Sequence, residues 1–382
     1  MVMKIGIDAR FYGSIGKGLG RYTEKLIEHL EKIDSKNQYV VFLRRENFDD
    51  YVPGRENFQK ALANYSWYGW REQLLFPLLL LRHRLDLVHF PHFNVPILYG
   101  KKFVVTVHDL ILLRFPTVQN TTLGWMGYAF KYALYRIVIA AAIRRALSVL
   151  TVSSFTKEDI MAHYPLSAGK VFVTKEAADE RCFFVDEENA FRILDRFGLR
   201  DAHCGRIERY FLYVGNAYPH KNLEAIILVA RVFPEYRFVF VGKEDFFSRR
   251  LQATVSGITN VSFIGFVSDH DLSVLYRNAV AYLFPSRYEG FGLPGLEAMQ
   301  YGLPVIATDR GSLPEIYGDA AIFFDPDEAH DMEQSIRRLL SFSDDERERL
   351  RRRGFAQGAM FRWSDMAEIT LSIYRKAFTE ET

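Results

Sequence analysis

Apolar residues follow two alternating spacings along the whole chain. Short runs of β-branched and aromatic residues predict buried strands, and stretches with apolar residues every three or four positions predict helices. In the first half the predicted strands are Lys4–Asp8, Tyr39–Leu43, Leu85–Phe90, Phe103–Val107 and Ser148–Val152, and the predicted helices are Tyr22–Lys32, Gln73–Arg84, Leu123–Ala146 and Lys157–His163. Strands that alternate with helices are typical of parallel α/β layers.

The second half repeats this plan. Its predicted strands are Tyr210–Val214, Phe238–Val241, Val261–Ile264, Ala279–Phe284, Val305–Ala307 and Ala321–Phe324, and its predicted helices are Asn222–Val232, Asp269–Arg277, Pro294–Tyr301 and Met332–Leu340. Two capping boxes are predicted, one from Ser268 to Asp271 and one from Ser343 to Glu346. After Ser343 the pattern predicts helix for most of the remaining chain.

The polar stretch from Lys175 to Glu208 interrupts the pattern and is predicted to link two domains. We therefore expect an α/β protein with two doubly wound, Rossmann-like domains that face each other across a cleft. The predicted boundaries are 1–178, 179–360 and a closing segment 361–382. Open parallel sheets bind ligands outside the carboxyl ends of their strands, so we expect chemistry on both walls of the cleft.

Composition is that of a globular protein, with 49% hydrophobic residues among 382. The two cysteines, Cys182 and Cys204, do not suggest a disulfide framework, which favours a reducing, cytoplasmic compartment. The longest apolar runs, Leu74–Leu81 and Ile137–Ile143, are shorter than the roughly 20 residues that span a bilayer. The N-terminus reads as a strand rather than a cleavable signal. These features predict a soluble or peripheral protein.

One loop of the second half carries two glutamates beside glycines. A predicted strand ends at Phe284, the loop contains Glu289 and Gly292, and a helix begins near Pro294. Glycines allow a close approach to backbone amides, and a helix N-terminus favours an anion such as a diphosphate. Glu297 lies one turn inside the helix and leans back toward its start. Carboxylates accept hydrogen bonds from hydroxyl-rich ligands such as ribose or a sugar ring.

A second loop has a similar layout. The predicted strand Tyr210–Val214 ends at Gly215, and the following loop delivers Lys221 to a helix start. A cation at this place would neutralise the charge that grows on a departing diphosphate.

Together these motifs resemble the donor site of family 4 glycosyltransferases of the GT-B type. The resemblance continues through Asp309–Glu315 and Gly318–Pro326 and covers nearly the whole chain, although 26–84 and 164–208 match weakly. It implies that Glu289 contacts the donor sugar near the reacting carbon and that Glu297 holds the nucleotide ribose. The backbone amides that would meet sugar hydroxyls and phosphate are those around Phe291, Gly292 and Leu293.

The same resemblance assigns Lys221 to the diphosphate. Many family members carry an arginine directly after the glycine, where this chain has Asn216, so a neighbouring arginine would have to substitute. It also assigns Gly18, in the glycine-rich loop after the first strand, to the diphosphate from the acceptor side. That loop lacks the Gly-x-Gly-x-x-Gly spacing, and the second strand leads into arginines rather than an acid, which argues against a dinucleotide enzyme.

His108 follows the strand Phe103–Val107, and the resemblance implies that it contacts the donor sugar. The alternative is a histidine that merely packs at a strand end. With His89 and His92 it invites a zinc interpretation, but no fourth ligand or metal-site spacing accompanies the three. The acid pairs Asp325/Asp327 and Asp269/Asp271 occupy loop and cap positions, and we interpret them as structural.

The resemblance therefore implies a retaining, metal-independent hexosyltransferase without a cofactor. Its donor would be a nucleotide-diphosphate sugar, its acceptor a glycan or a lipid-linked sugar, and nucleic acid is not an expected partner. The sequence from Glu289 to Pro294 resembles that of bacterial polysaccharide mannosyltransferases, which implies GDP-mannose as the donor and a role in polysaccharide biosynthesis. A UDP-sugar donor, a nucleotide-sugar epimerase on the same fold and a non-catalytic sugar-nucleotide sensor are the alternatives. The segment Phe361–Ala367 resembles the helix that crosses back to the first domain.

Charge is distributed unevenly between the halves. Residues 1–178 carry a net charge of +9 and residues 179–382 a net charge of −7. We expect the basic half to dock on an anionic membrane at its cytoplasmic face, with Trp67, Trp70 and Trp125 in the headgroup layer. The alternative is a chance imbalance around a shared interface. The segment Leu123–Ala146 is apolar on nearly every face, which indicates a buried helix rather than a membrane-surface helix.

Overall fold

A computed structural model describes residues 2–16, 18–116, 125–179, 183, 185–201, 204–255, 257–328 and 330–379. The side chains of Ser14, Trp125 and Met126 lie outside this description, as does all of Cys182. The described residues of Met1–Pro116, Leu123–Glu176 and Arg362–Thr382 form one compact unit, and those of Ala177–Phe361 form a second. We call these the first and second units.

The first unit is built on a parallel sheet. Its described strands are β1 (Lys4–Asp8), β2 (Gln38–Leu43), β3 (Phe58–Leu62), β4 (Leu87–Phe90), β5 (Phe103–Val107), β6 (Ser148–Thr151) and β7 (Val171–Val173). They lie in the order β3-β2-β1-β4-β5-β6-β7, and each pair is parallel. The pattern did not predict β3 and β7, because β3 is a partly exposed edge strand and β7 has three residues.

Helices cover the two faces of this sheet. The helices before the second unit are α1 (Gly18–Ile33), α2 (Trp70–Arg82), α3 (Ile111–Arg114), α4 (Trp125–Arg145) and α5 (Ser154–His163). Residues of α2 and α4 share one core with the sheet. The prediction that the α4 segment is buried all round is wrong. Phe130 is 68% exposed, because only the side that carries Tyr135 and Ile139 meets the core.

The second unit repeats the architecture. Its described strands are β8 (Tyr210–Val214), β9 (Arg237–Val241), β10 (Val261–Gly265), β11 (Ala281–Phe284), β12 (Val305–Thr308) and β13 (Ala321–Phe324). They are parallel and lie in the order β10-β9-β8-β11-β12-β13. This is the doubly wound order, in which the winding direction reverses between β8 and β11.

The helices of the second unit are α6 (Glu187–Arg196), α7 (Glu224–Ala230), α8 (Phe246–Thr254), α9 (Asp269–Asn278), α10 (Leu293–Gln300), α11 (Leu313–Tyr317), α12 (Asp331–Leu340) and α13 (Asp344–Ala359). The stretch predicted as a linker contains α6, which contacts α9. The Ser343–Glu346 capping box is present, and Ser268 caps α9 by accepting a hydrogen bond from the Asp271 amide.

The last helix, α14 (Trp363–Thr379), belongs to the first unit. It contacts α1, and Trp363 is fully buried there. Two doubly wound α/β units and a helical C-terminus are therefore as predicted. Within the described residues, no helix is both long enough and apolar enough to cross a bilayer.

Candidate active site

Two loops of the second unit meet where its sheet changes direction. Lys221 follows β8 and Glu289 follows β11, and these strands are neighbours. Lys221 Nζ lies 2.6 Å from Glu289 Oε1, and the side chains are 15% and 9% exposed. The structure thus brings the two predicted residues into one ion pair at the carboxyl edge of the sheet, where ligands bind in this topology.

Two hydrogen bonds to one backbone carbonyl hold the two loops together. The amide of Arg287 donates to the carbonyl of His220 at 2.8 Å, and Ser286 Oγ donates to the same carbonyl at 3.3 Å. Burial, reinforced by the Lys221 charge, lowers the pKa of His220 to about 3. The His220 ring is therefore neutral. The two hydrogen bonds to the His220 carbonyl fix the backbone beside Lys221.

The segment after β12 packs against the Glu289 loop and holds it in place. Ser312 Oγ donates to the carbonyls of Glu289 (3.1 Å) and Phe291 (3.0 Å). Gly311 has a φ of 66°, and a Cβ there would lie 2.9 Å from the Glu289 nitrogen. Only glycine allows this close approach. The matched segment Asp309–Glu315 therefore has a definite role, which is to hold the loop that carries Glu289.

Three buried tyrosines tether the same loops through their hydroxyls. Tyr213 donates to the Asn216 carbonyl, Tyr282 to the Val214 carbonyl and Tyr317 to the Gly292 carbonyl, at 2.8, 3.1 and 2.5 Å. Burial raises the pKa of each well above its ordinary value, and the nearby Glu289 carboxylate raises it further. These hydroxyls stay protonated and remain donors. The sequence pattern missed them, because a tyrosine in a buried strand resembles any other core residue.

The start of α10 is shaped for close contact. Gly292 has a φ of 102°, and a Cβ there would lie 2.6 Å from Leu313 Cδ2. Leu293 is the first helical residue. The Phe291 side chain is buried against Phe361, so Phe291 can offer a ligand only its backbone. Glu297 Oε2 accepts a long 3.5 Å hydrogen bond from the Tyr276 hydroxyl of α9.

A pocket of about 270 Å³ lies beside the loop that carries Lys221, with Ala217 and Leu223 in its wall. Three strand ends in its wall carry glycines, and a Cβ at Gly242 would lie 2.1 Å from the Gly215 carbonyl oxygen. Its lining residues include Tyr213, Gly215, Gly242, Lys243, Phe263 and Gly265. Lys243 was not predicted. The signal was present, since Val241-Gly242-Lys243 repeats the Val214-Gly215-Asn216 pattern.

In the first unit, His108 lies at the end of β5 with both ring nitrogens engaged. Nε2 is 2.9 Å from the Pro91 carbonyl oxygen, and Nδ1 is 3.1 Å from Glu176 Oε1. The Pro91 carbonyl and an ionised Glu176 carboxylate can only accept hydrogen bonds. Both ring nitrogens of His108 therefore have to donate, which suits the imidazolium form. Burial acts to lower the pKa of His108, but the Glu176 hydrogen bond and charge outweigh it and raise the pKa. Glu176 was not predicted as a site residue.

Two glycines near the start of α1 differ in what surrounds them. A Cβ at Gly20 would lie 1.9 Å from the Gly13 carbonyl oxygen, so tight packing requires Gly20. A Cβ at Gly18 would have no described atom of another element within 4 Å. Packing therefore does not explain a glycine at position 18, the residue predicted to meet the diphosphate.

Both ring nitrogens of His89 have hydrogen-bond partners inside the first unit. Its Nδ1 lies 2.6 Å from the Tyr374 hydroxyl of α14, and its Nε2 lies 2.8 Å from Thr106 Oγ1. Burial lowers its pKa to about 3, so the ring is neutral. This histidine links the last helix to the sheet.

Family models match both halves of the chain. The model described as Glycosyltransferase Family 4 matches residues 16–179, and the model described as Glycosyl transferases group 1 matches residues 206–357. The chain is a family 4 glycosyltransferase of the GT-B fold.

Known proteins resemble this glycosyltransferase over almost its full length. The O-antigen chain mannosyltransferase B of Escherichia coli is 28% identical, and the match covers 94% of this chain and 96% of that protein. Sucrose-phosphate synthase from Thermosynechococcus elongatus has a TM-score of 0.76 at 20% identity, and the match covers 98% and 99% of the two chains. The HepE protein of Anabaena, solved with UDP-glucose, has a TM-score of 0.73 at 16% identity and coverages of 98% and 100%. At these identities the solved structures support the fold.

The acid pair Asp325 and Asp327 of this glycosyltransferase is engaged by arginines. Arg310 lies 2.7 Å from Asp325 and 3.3 Å from Asp327, and Arg287 pairs with Asp327 as well. The interpretation of these acids as structural agrees with those contacts. Throughout the described ranges, no three His, Cys, Asp or Glu side chains come together as they would around a metal ion. Metal independence stays a prediction.

Proposed function

We propose that this glycosyltransferase transfers mannose from GDP-mannose to a glycan or lipid-linked acceptor in polysaccharide biosynthesis, with retention of the anomeric configuration and without a metal ion. The observation that carries the proposal is the Lys221–Glu289 ion pair at the carboxyl edge of the sheet, where the loop that carries Lys221 also contributes Ala217 to the wall of the glycine-lined pocket. The choice of mannose is supported by the full-length similarity to an O-antigen mannosyltransferase. We place the reaction at the cytoplasmic face of an anionic membrane, where a lipid-linked acceptor would be met.

The donor would lie along the second unit from the pocket to Glu289. The pocket would take the nucleoside, and Glu297, one turn inside α10, would accept hydrogen bonds from the ribose. The amides of Gly292 and Leu293, at a helix N-terminus without a side-chain cap, would face the diphosphate. Glu289 would accept from the donor sugar, as its carboxylate can only accept.

Lys221 would stabilise the departing diphosphate. Its ammonium is held by Glu289 before substrate arrives, so little reorganisation is needed when negative charge develops. Asn216 cannot replace the positive charge of the arginine found in many relatives, because its side-chain amide is neutral. Its carbonyl and side-chain oxygens accept hydrogen bonds within its own loop. We assign the second cation to Lys243, which lines the pocket beside Gly215.

A donor panel tests this proposal. Purified protein is mixed with GDP-mannose, UDP-glucose, UDP-galactose and ADP-glucose, and thermal shifts are measured, since a ligand that binds the folded state raises the unfolding temperature. We expect GDP-mannose to give the largest shift and to be consumed only when a mannose-terminated acceptor is present. Proton NMR of the product should show the α-anomer, and EDTA should not reduce the rate.

Each other outcome contradicts a defined part of the proposal. A larger shift and transfer with a UDP-sugar would overturn the donor assignment. Conversion of free sugar nucleotide without an acceptor would favour an epimerase, and binding without turnover would favour a sensor. Activity abolished by EDTA and restored by Mn²⁺ would show that a metal ion supplies the electrostatics.

A further inference from the structure

The first unit exposes apolar side chains on two helices and on the loop between them. On α2 they recur at intervals of three and four residues, which places them on one stripe, and on α4 they do the same. We call these residues the α2–α4 face. Its members are Trp70, Leu74, Leu78 and Leu81 of α2, Ile97 and Leu98 of the loop, and Phe130, Leu134 and Ile137 of α4.

Contacts along the loop join the two helices into one layer. Gln73 Oε1 of α2 accepts a hydrogen bond from the Ile97 amide at 2.9 Å, and Arg145 of α4 donates to the Ile97 carbonyl at 2.6 Å. Nearer the middle of α4, the ring of Tyr135 packs on Phe93 with 5.0 Å between centroids. Both helices bury their inner sides in the same core. The exposed apolar stripes therefore lie on one outer surface.

Basic residues accompany this surface almost without acids. The segments 70–84, 96–101 and 125–145 contain eight exposed Lys and Arg residues, namely Arg71, Arg82, Arg84, Lys101, Lys131, Arg136, Arg144 and Arg145. Their single acid, Glu72, is fully buried and lies 2.7 Å from Arg10. The outward charge of these segments is thus positive, and exposed leucines and aromatics stand among the cations.

We propose that the α2–α4 face binds the surface of an anionic lipid bilayer. Apolar patches that stay exposed mark interaction sites, and helices with an apolar stripe flanked by Lys and Arg lie in the membrane interface. The cations meet anionic headgroups while the apolar side chains enter the acyl boundary. Two copies of this face would bring eight cations against eight, which opposes self-association through it. The proposal extends the proposed function, because it supplies the surface that meets a lipid-linked acceptor.

The structure corrects which tryptophans take part. Trp67 does not point to a headgroup layer, because its ring stacks on Phe11 at 4.3 Å and is covered by the Arg44 guanidinium at 4.7 Å. Trp70 is 66% exposed and belongs to the face. The side chain of Trp125 lies outside the described part of the structure. Replacing Trp67 would therefore disturb packing rather than report on lipid binding.

Vesicle co-sedimentation of the full chain, without sugar nucleotide, tests the proposal. Vesicles of phosphatidylcholine with phosphatidylglycerol are compared with vesicles of phosphatidylcholine alone, at low and high salt. We expect pelleting with the anionic vesicles only, and release by salt. The triple variant Leu74→Ser, Leu78→Ser, Phe130→Ser should bind at least about ten-fold more weakly, since apolar burial contributes to interfacial affinity.

Matched variants separate the face from general hydrophobicity and general charge. Val52 is 76% exposed in the same unit but lies between β2 and β3, outside the α2–α4 face, so Val52→Ser should pellet like the wild type. Arg82→Glu with Arg136→Glu should weaken binding about ten-fold or more, and Arg55→Glu should not. Circular dichroism confirms that each variant is folded.

Three results would overturn the inference. The first is that the wild type does not pellet with vesicles at any salt concentration. The second is that the triple variant pellets as well as the wild type. The third is that light scattering shows the triple variant to have lost self-association while its vesicle binding is unchanged. None of them depends on the donor. If vesicle binding fails while GDP-mannose transfer to a soluble acceptor persists, the docking surface is wrong and the proposed activity stands.

Discussion

Lys221 and Glu289 are nearly buried, and an ion pair in such a place is a costly way to stabilise a fold. The free-energy cost of removing two charges from water offsets most of their mutual attraction. Apolar residues of similar size would often stabilise the fold equally well. The pair therefore makes better sense as a preorganised site, in which the ammonium waits for a diphosphate. Removing one partner alone leaves the other charge buried without compensation, so effects on stability and on catalysis must be measured separately.

For Lys221→Ala and Glu289→Ala we expect turnover to fall by at least ~100-fold, the scale of losing one preorganised electrostatic group. Each single variant should also lose about 3 kcal/mol of stability, because its former partner stays buried. The double variant should regain part of the stability and none of the activity. Initial rates with saturating donor and urea unfolding give the two readouts.

Glu235→Ala is a suitable control, because Glu235 is an exposed acid of the same unit. It should match the wild type in both measurements. If either single variant turned over at a rate near that of the wild type, the assignment of the pair to the reaction would be wrong. If the double variant were less stable than both single variants, the pair would be mainly structural.

His108 gives a second prediction at the residue scale, through its contact with Glu176. The raised pKa of His108 means that its protonation stabilises the fold fully below the ordinary histidine pKa of ~6.5, and this contribution is lost as pH rises through the raised value. Asp109 adds to the positive shift, whereas burial acts against it. We expect kcat/KM to fall over the same alkaline range if the imidazolium orients the donor sugar.

Glu176→Gln keeps a side chain of the same size and removes the charge. It should move the alkaline limb of kcat/KM, and the pH dependence of the unfolding temperature, to lower pH. His108→Gln should abolish the limb in both measurements. An unchanged pH profile in Glu176→Gln would show that the pair does not set the charge of His108 during the reaction.

The sequence showed which residues could do chemistry better than it showed what holds them. Lys221 and Glu289 follow predicted strands beside glycines, so local pattern marked their positions, and the family resemblance supplied the roles predicted for them. Ser312, Tyr317 and Glu176 act through contacts with residues distant in the chain, at 3.1, 2.5 and 3.1 Å from Glu289, Gly292 and His108 respectively. Such supports become visible only when the chain is folded, because spacing along the sequence carries no information about them.

At the scale of elements, the start of α1 separates a packing glycine from a site glycine. Gly20→Ala should destabilise the first unit, because its Cβ would press on two backbone carbonyls, of Gly13 and Phe11. Gly18→Ala should fold normally, since α1 begins there and the added methyl would meet no described atom of another element within 4 Å. If the Gly18 backbone approaches the diphosphate, Gly18→Ala should raise the donor KM several-fold while the unfolding temperature stays unchanged.

Donor titrations and thermal unfolding of the two variants provide this comparison. Gly100→Ala is the control, because its Cβ also meets no neighbour and it lies away from α1. A wild-type KM in Gly18→Ala would remove Gly18 from the site. A stable Gly20→Ala protein would mean that the turn before α1 can shift to accept a methyl group.

Helices and strands could be predicted where the apolar residues followed one regular spacing, or formed one unbroken run, over the whole element. All six described strands of the second unit were predicted, because each contains a run of apolar residues, including the partly exposed edge strand β10. β3 was missed because half-exposed edge residues break the run, and α6 was missed because its strongly polar segment resembles a linker. Burial in the finished fold, rather than local propensity, decided these elements.

At the scale of the whole molecule, the first unit is not one continuous stretch of the chain. The chain completes the second unit and then returns α14 to the first, so that unit is finished only by the last residues. Trp363, Met366 and Tyr374 of α14 are almost completely buried there. The pattern predicted helix here, but only the family resemblance indicated that this helix returns to the first domain, because an amphipathic helix does not reveal which core it covers.

The link between Tyr374 and His89 gives the last prediction. Tyr374→Phe removes the hydroxyl that lies 2.6 Å from His89 Nδ1 and leaves a buried ring nitrogen without that partner, which should cost about 1–3 kcal/mol. Because Thr106 Oγ1 contacts both His89 and the Tyr22 hydroxyl of α1, the loss should loosen α14 and α1 together. Hydrogen exchange should then speed up in peptides of these two helices and stay unchanged in the second unit. Ser372→Ala, at an exposed position of the same helix, should exchange like the wild type. Equal exchange in Tyr374→Phe and Ser372→Ala would show that apolar packing alone holds α14 on the first unit.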